Sequence, residues 1–280
     1  MARVRIVTDS TADLPASTVE QLGITVMPLT IHIGQKNLRD GVDLSREEFF
    51  KRLARMTTPP TTAPVTRKQF DTLFTELTKN GDAVVAILSS SKLGDTFQNA
   101  TRAAAPLLGR SKIVVIDSQL MTVGLGMLVV AAAQAAHRGD SLDDVVKLVR
   151  GMIPHIYIGF FVETLDYLER GGRIGSAQAL LGTMLNIKPL LILEDGEVVA
   201  LEKVRTRAKA IEKLVEFITE FERIERMIIL HSNTPEDVNL LIEQINLVVP
   251  NLDISVDHYG PIAATHVGPS ALGVVVYEGM

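Results

Sequence analysis

The sequence predicts an α/β protein with an N-terminal, mostly parallel sheet and flanking helices, followed by a second α/β domain with a mixed sheet. Three observations carry this. Short β-branched runs alternate with longer amphipathic segments through the first half, the signature of βα units. The pattern changes near His155, where an apolar, strand-like segment begins. Beyond it Glu194-Asp195-Gly196 separates two β-like runs, and an Asp-Gly turn in that setting signals an antiparallel hairpin, because glycine accepts positive φ. A chain of 280 residues has room for two domains, read here as 1–154 and 155–280 with a ligand between them.

In chain order, Val4–Val7, Ile24–Ile33, Ala83–Leu88 and Lys112–Ile116 read as strands. Ser45 with Glu48, and Thr66 with Gln69, fit the capping box that opens a helix. The apolar run Gly124–Ala136 is shorter than the ~20 residues of a membrane span and reads as a buried helix. Ile156–Val162 reads as a strand, followed by a helix that stops at Gly171-Gly172. The hairpin strands are Pro189–Leu193 and Glu197–Leu201, with further strands at Met227–Leu230, Ile254–His258 and Leu272–Tyr277. Helices are expected at about Arg205–Glu222 and Pro235–Val248.

Composition narrows the function. Hydrophobic residues make up 46% and charged residues 22%, which suits a folded chain. The net charge of -5 argues against a nucleic-acid partner, since phosphate binding needs a basic surface. With no cysteine, disulfides, thiolate metal sites and cysteine nucleophiles are excluded. The start, MARVRIVTDST, runs straight into a strand and lacks the features of a secretory signal, so a cytoplasmic protein without a membrane anchor is expected.

In an open parallel sheet, ligands bind beyond the carboxyl ends of the strands. Those ends are loaded with hydroxyls here: Thr8-Asp9-Ser10-Thr11, Ser89-Ser90-Ser91 and Asp117-Ser118. Each alone reads as helix caps, and together they point to a polar crevice. Thr57-Thr58-Pro59-Pro60-Thr61-Thr62-Ala63-Pro64 excludes a helix or a central strand, leaving a solvated loop or a loop that binds an anion with neutral donors. Arg173, in Gly171-Gly172-Arg173-Ile174-Gly175, is either a functional arginine or part of a helix stop. His266 lies between the Gly-Pro pairs 260–261 and 268–269, a setting that reads as a loop brought to a site, although lone loop histidines are more often structural. The dinucleotide fingerprint, the phosphate loop, the GxSxG elbow and HExxH are all missing from the sequence, so no metal site and no catalytic residue is assigned. The polar residues look arranged to hold a group rather than to cleave it.

Seven strings, in this order, resemble the DegV family of bacterial fatty-acid-binding proteins: TDSTADLP (Thr8–Pro15), TTAP (Thr61–Pro64), SSKLGDT (Ser90–Thr96), ERGGRI (Glu169–Ile174), KP (Lys188–Pro189), KVRTR (Lys203–Arg207) and THVGPSALG (Thr265–Gly273). The resemblance spans nearly the whole chain. It implies a carrier with no cofactor, holding a long-chain, palmitate-like fatty acid in an apolar tunnel, its carboxylate on a polar cluster. It further implies presentation of that acid to a separate fatty acid kinase, which makes the acyl-phosphate, and a lipid cargo is compatible with transient membrane contact.

By the same resemblance, Thr62 matches the family threonine that binds the carboxylate. The family serine is Gly94 here, so its backbone N–H, Ser91 or a water is expected to substitute, with Asp95 facing solvent or capping a helix. His266 is placed near the carboxylate and Arg173 near the tunnel mouth or partner surface. Arg205 and Arg207 read first as solvated arginines and second as contacts for an acidic kinase. Tunnel lining is assigned to Phe160, Phe161, Leu180, Met184 and Ile187, each of which also suits an ordinary core. The rival reading is a small hydrolase or phosphotransfer enzyme using His266.

Overall fold

The computed structural model describes residues 3–53, 55–56, 58–181 and 187–280. The chain divides into two compact units, Met1–Arg46 with Thr62–Pro154, and Glu47–Thr61 with His155–Met280. Glu47–Thr61, which the contiguous split at 154 assigns to the first domain, therefore belongs with the second unit.

Unit one is built from β1 (Val4–Asp9), α1 (Ala16–Leu22), β2 (Thr25–Met27), β3 (Thr30–Ile33) and β4 (Lys36–Arg39). Helix α2 (Arg46–Leu53) leads into unit two, and the chain returns through β5 (Thr61–Ala63). Next come α3 (Arg67–Thr78), β6 (Ala83–Leu88), α4 (Thr96–Ala104), β7 (Ile113–Asp117), α5 (Thr122–Arg138) and α6 (Leu142–Met152). The parallel sheet runs in the order β2-β1-β6-β7. Every residue of β6 is buried, as a central strand covered on both faces requires: α3 and α4 pack as one pair, α5 and α6 as the other. The Thr66–Gln69 capping box opens α3, with Thr66 N donating to Gln69 Oε1 at 2.9 Å. The apolar run 124–136 lies within α5, and among the described residues no helix is long and apolar enough to cross a membrane.

Two local expectations change. Ile24–Ile33 is not one strand, because Pro28 lacks an N–H for a ladder and the Leu29 N–H is captured by Ser10 Oγ at 3.1 Å. The chain thereby leaves the parallel sheet and starts a separate one, ordered β4-β3-β5. The described part of the Pro-Thr segment is also more regular than a loop: β5 forms an edge of that second sheet, the one sheet position beside prolines that costs no ladder bond.

Unit two contains β8 (Ile156–Phe161), α7 (Asp166–Arg170), β9 (Lys188–Glu194), β10 (Glu197–Val204), α8 (Arg207–Thr219) and β11 (Arg226–His231). It ends with α9 (Pro235–Val248), β12 (Ile254–His258), α10 (Pro261–Val267) and β13 (Leu272–Tyr277). The sheet is mixed, ordered β10-β9-β8-β13-β11-β12, with β11 and β12 its parallel pair. The hairpin turn puts both Asp195 (φ 48°) and Gly196 (φ 80°) in the left-handed region, which matches the twist of the flanking strands. One sheet face packs on α8 and α9 through Phe161, Leu190, Leu214, Met227, Leu241 and Val274.

Candidate functional site

The carboxyl ends of the unit-one strands are occupied by their own side chains. β1 and β6 flank the point where strand order reverses, the position at which such sheets bind ligands. There the fully buried Asp9 reaches across to Ser89. Its Oδ2 accepts from Ser89 N at 2.8 Å and Ser89 Oγ at 2.9 Å, while Oδ1 accepts from Thr11 N at 3.0 Å and Thr11 Oγ1 at 2.6 Å. Four donors are thereby committed to one carboxyl group, and the hydroxyls expected to line an open crevice close it instead.

The neighbouring loop is pinned in the same way. Ser91 N donates to Asp117 Oδ1 at 3.1 Å, and the Ser91 carbonyl accepts from Gln98 Nε2 at 3.2 Å. Ser90 Oγ accepts from Lys92 N. Gly94 follows, and then α4 begins at Asp95 with no side-chain cap, Asp95 itself being exposed. Uncapped N–H groups at a helix start favour negative charge. Asp95 thus occupies the cap position without capping. Thr62, on β5, is half-buried.

Nearby, Asp40 is buried, accepts from Ser10 and is pushed up to about 6, by desolvation first and by the negative charge of Asp9, against the pull of Arg46. Arg46 also lies 3.6 Å from Asp13.

In unit two His266 sits on α10, a helix rather than the expected loop. Its boundaries follow from the residues that suggested a loop: Pro261 at the first turn needs no N–H partner, and Gly268 at φ +81° ends the helix. The ring is seated against Gly171, where a Cβ would stand 2.2 Å from His266 Nδ1. Likewise a Cβ at Gly268 would stand 2.8 Å from the Tyr167 ring. The GGR motif therefore has a steric reason for its first glycine. Burial lowers the His266 pKa to about 4, assisted by the charge of Arg173, so the imidazole is neutral at neutral pH. Arg173 Nη1 donates to the Gly171 carbonyl. His266 and Arg173 are thus brought together.

Arg205 is exposed in the turn before α8, whereas Arg207 is drawn inward. Its guanidinium donates to Asp237 Oδ2 at 2.6 and 3.0 Å, to Glu163 Oε2 at 2.9 Å and to the Ser270 carbonyl at 3.1 Å, and lies 5.0 Å from the Phe161 ring centre. The first reading of Arg207 as a solvated arginine is corrected accordingly.

Phe160 and Phe161 fall on opposite faces of β8, so they cannot line one wall: Phe161 belongs to the core under α8 and α9, and Phe160 faces the other way. Leu180 is buried and Ile187 half-buried, while Met184 lies outside the described residues. Sequence reasoning passed over His231 and His258, which are partners in register on adjacent strands with ring centres 4.4 Å apart. It also passed over Tyr259, whose hydroxyl donates to the Gly268 carbonyl at 2.9 Å and accepts from Ala271 N at 3.2 Å. Only a comparison of strand ends could have paired the histidines. Among the described residues, no three acidic or histidine side chains form a group able to hold a metal.

The fold is that of a two-unit α/β protein: unit one gathers hydrogen-bond donors at the ends of its strands, and unit two buries His266 in its neutral form. The family model described as "Uncharacterised protein, DegV family" matches residues 3–279, and the chain belongs to the DegV family. It is 37% identical over 281 residues to a DegV domain-containing protein of Caldanaerobacter subterraneus subsp. tengcongensis, covering 99% of this chain and 100% of that one. Among solved structures, a DegV family protein from Thermus thermophilus, described with fatty acid binding, is 32% identical, with a TM-score of 0.88 and coverage of 99% and 100%. DegV of Bacillus subtilis, described as a fatty acid binding protein, is 30% identical, with a TM-score of 0.87 and the same coverage.

Proposed function

We propose that this protein binds a long-chain fatty acid such as palmitate and acts as a carrier rather than an enzyme. The observation that carries the reading is its end-to-end likeness to the Thermus thermophilus and Bacillus subtilis proteins described as fatty acid binding. The local chemistry supports it. A carboxylate leaving water needs hydrogen-bond donors, and the uncapped start of α4 with Gly94 supplies them in unit one, together with the hydroxyls of Ser91 and Thr62. In unit two the neutral His266 donates or accepts according to its tautomer, with Arg173 as the nearby cation. Exposed Asp95 is turned to solvent and leaves that helix start to the ligand.

Phe160, Leu180 and Ile187 are assigned to the acid's tail, at about 0.8 kcal/mol per buried methylene. Affinity then comes from the tail and orientation from the head group. The bound acid is presented to a separate kinase in the cytoplasm, with exposed Arg205 on the docking surface. Native mass spectrometry of protein purified from bacterial cells tests the reading: a bound acid of long-chain mass is expected. Homogeneous lipid-free protein that takes up neither palmitate nor oleate would overturn it.

A further inference from the structure

The motifs KP, KVRTR and VGPSALG have no evident reason to be linked in sequence, yet they meet at one guanidinium. Lys188 pairs with Glu163, Glu163 pairs with Arg207, and Arg207 holds both Asp237 and the Ser270 carbonyl. The partners lie on different elements. Glu163 follows β8, Lys188 opens β9, Arg207 opens α8, Asp237 is in the first turn of α9, and Ser270 lies in the loop between α10 and β13. Arg207 is about a quarter exposed at its side chain and Asp237 about as much, so water screens these bonds less than it would a surface pair.

Ser270 belongs to the short connection that closes α10 directly after His266. Tyr259 grips that connection at Gly268 and Ala271, and Arg207 holds it between those two points. The His266 ring fills the space left at Gly171, so any slippage of the end of α10 would drive the ring against that backbone or withdraw it.

We propose that Arg207 is the positioning residue of the His266 site: by joining the starts of α8 and α9 to the Ser270 carbonyl, it holds the end of α10 and with it the seat of the imidazole. A lysine in its place keeps the charge but loses the planar fork that serves several acceptors at once. This inference rests on the fatty-acid reading only for its ligand; the placement of His266 is a separate measurement.

The test uses the full chain carrying Arg207→Lys or Arg207→Met, followed by NMR titration of the His266 ring and by oleate binding. The expected results are a rise of the His266 pKa from about 4 toward 6.5 as the ring becomes more exposed, and oleate binding at least ~10-fold weaker, about 1.4 kcal/mol. Arg207→Lys carries the test if Arg207→Met does not fold. Wild-type titration of His266 in a folded Arg207→Lys variant overturns the proposal. If the parent protein takes up no oleate, the fatty-acid reading fails, and the titration alone still decides the role of Arg207.

Discussion

The two units solve the same problem, polar groups collected at strand ends, with different chemistry. In unit one a single carboxyl group, Asp9, is surrounded by backbone N–H and hydroxyl donors and joins the ends of β1 and β6. In unit two the joint is a cation, Arg207, shared among two carboxylates and a carbonyl. The contrast extends to titration. Unit one buries an acid, Asp40, whose pKa is raised, and unit two buries a base, His266, whose pKa is lowered. Burial thus disfavours the charged form of both groups, leaving His266 neutral at neutral pH while Asp40 loses its proton only near pH 6, and each shifts stability with pH in the opposite direction from the other.

The sharpest way to break this comparison is to remove Asp9. Asp9→Ala leaves two buried N–H groups and two hydroxyls without their acceptor, a loss of at least about 4 kcal/mol, the lower limit of 1 to 3 kcal/mol for each unsatisfied group. Urea unfolding measures it, and a loss below ~1 kcal/mol would mean that Ser89 and Thr11 find other partners.

The opposed titrations give the next effect. For His266, the unfolded chain binds its proton near pH 6.5 and the folded chain only near 4. Its contribution is fully present above pH 6.5 and is lost as pH falls to about 4. For Asp40 the folded pKa of about 6 exceeds the ordinary 3.8, so stability is fully present below pH 3.8 and is lost as pH rises through 6. Each amounts to ~3 kcal/mol at 1.36 kcal/mol per pH unit, and between pH 4 and 6 they offset one another. Asp40→Asn should therefore make stability rise with pH across that window, while His266→Gln should make it fall. Urea midpoints at several pH values decide, and unchanged slopes in both variants would rule out the assignment.

The smallest effect concerns the ligand. On the proposed reading, Gly94→Ser adds a hydroxyl beside the start of α4 that can donate to the carboxylate, and one charge-assisted hydrogen bond is worth about 1.5 to 3 kcal/mol. Oleate should bind ~10-fold tighter by calorimetric titration. Equal or weaker binding would show that the helix start already saturates the carboxylate.

Much of this molecule was legible in its residues. β6, α9 and β12 fall where periodicity puts them, and the Asp-Gly turn marks the hairpin because its backbone requirement is local. The capping box at Thr66 is read with equal ease. Failures arose where a remote partner decides. Nothing near Leu29 reveals that Ser10 will take its N–H and split a strand. The Gly-Pro pairs around His266 are helix boundaries as much as loop signals, and only packing on Gly171 gives the histidine its place. Arg207 and Arg205 look alike in sequence, and the difference between them is the set of acceptors that the fold brings to one of them.

The fit of an imidazole into the hollow of a glycine has a mutational corollary. A methyl group at Gly171 evicts the ring, and a smaller side chain at His266 leaves an unfilled void, so a change at either position is felt at the other. Two sites far apart in the gene are thereby tied to each other by a single steric contact.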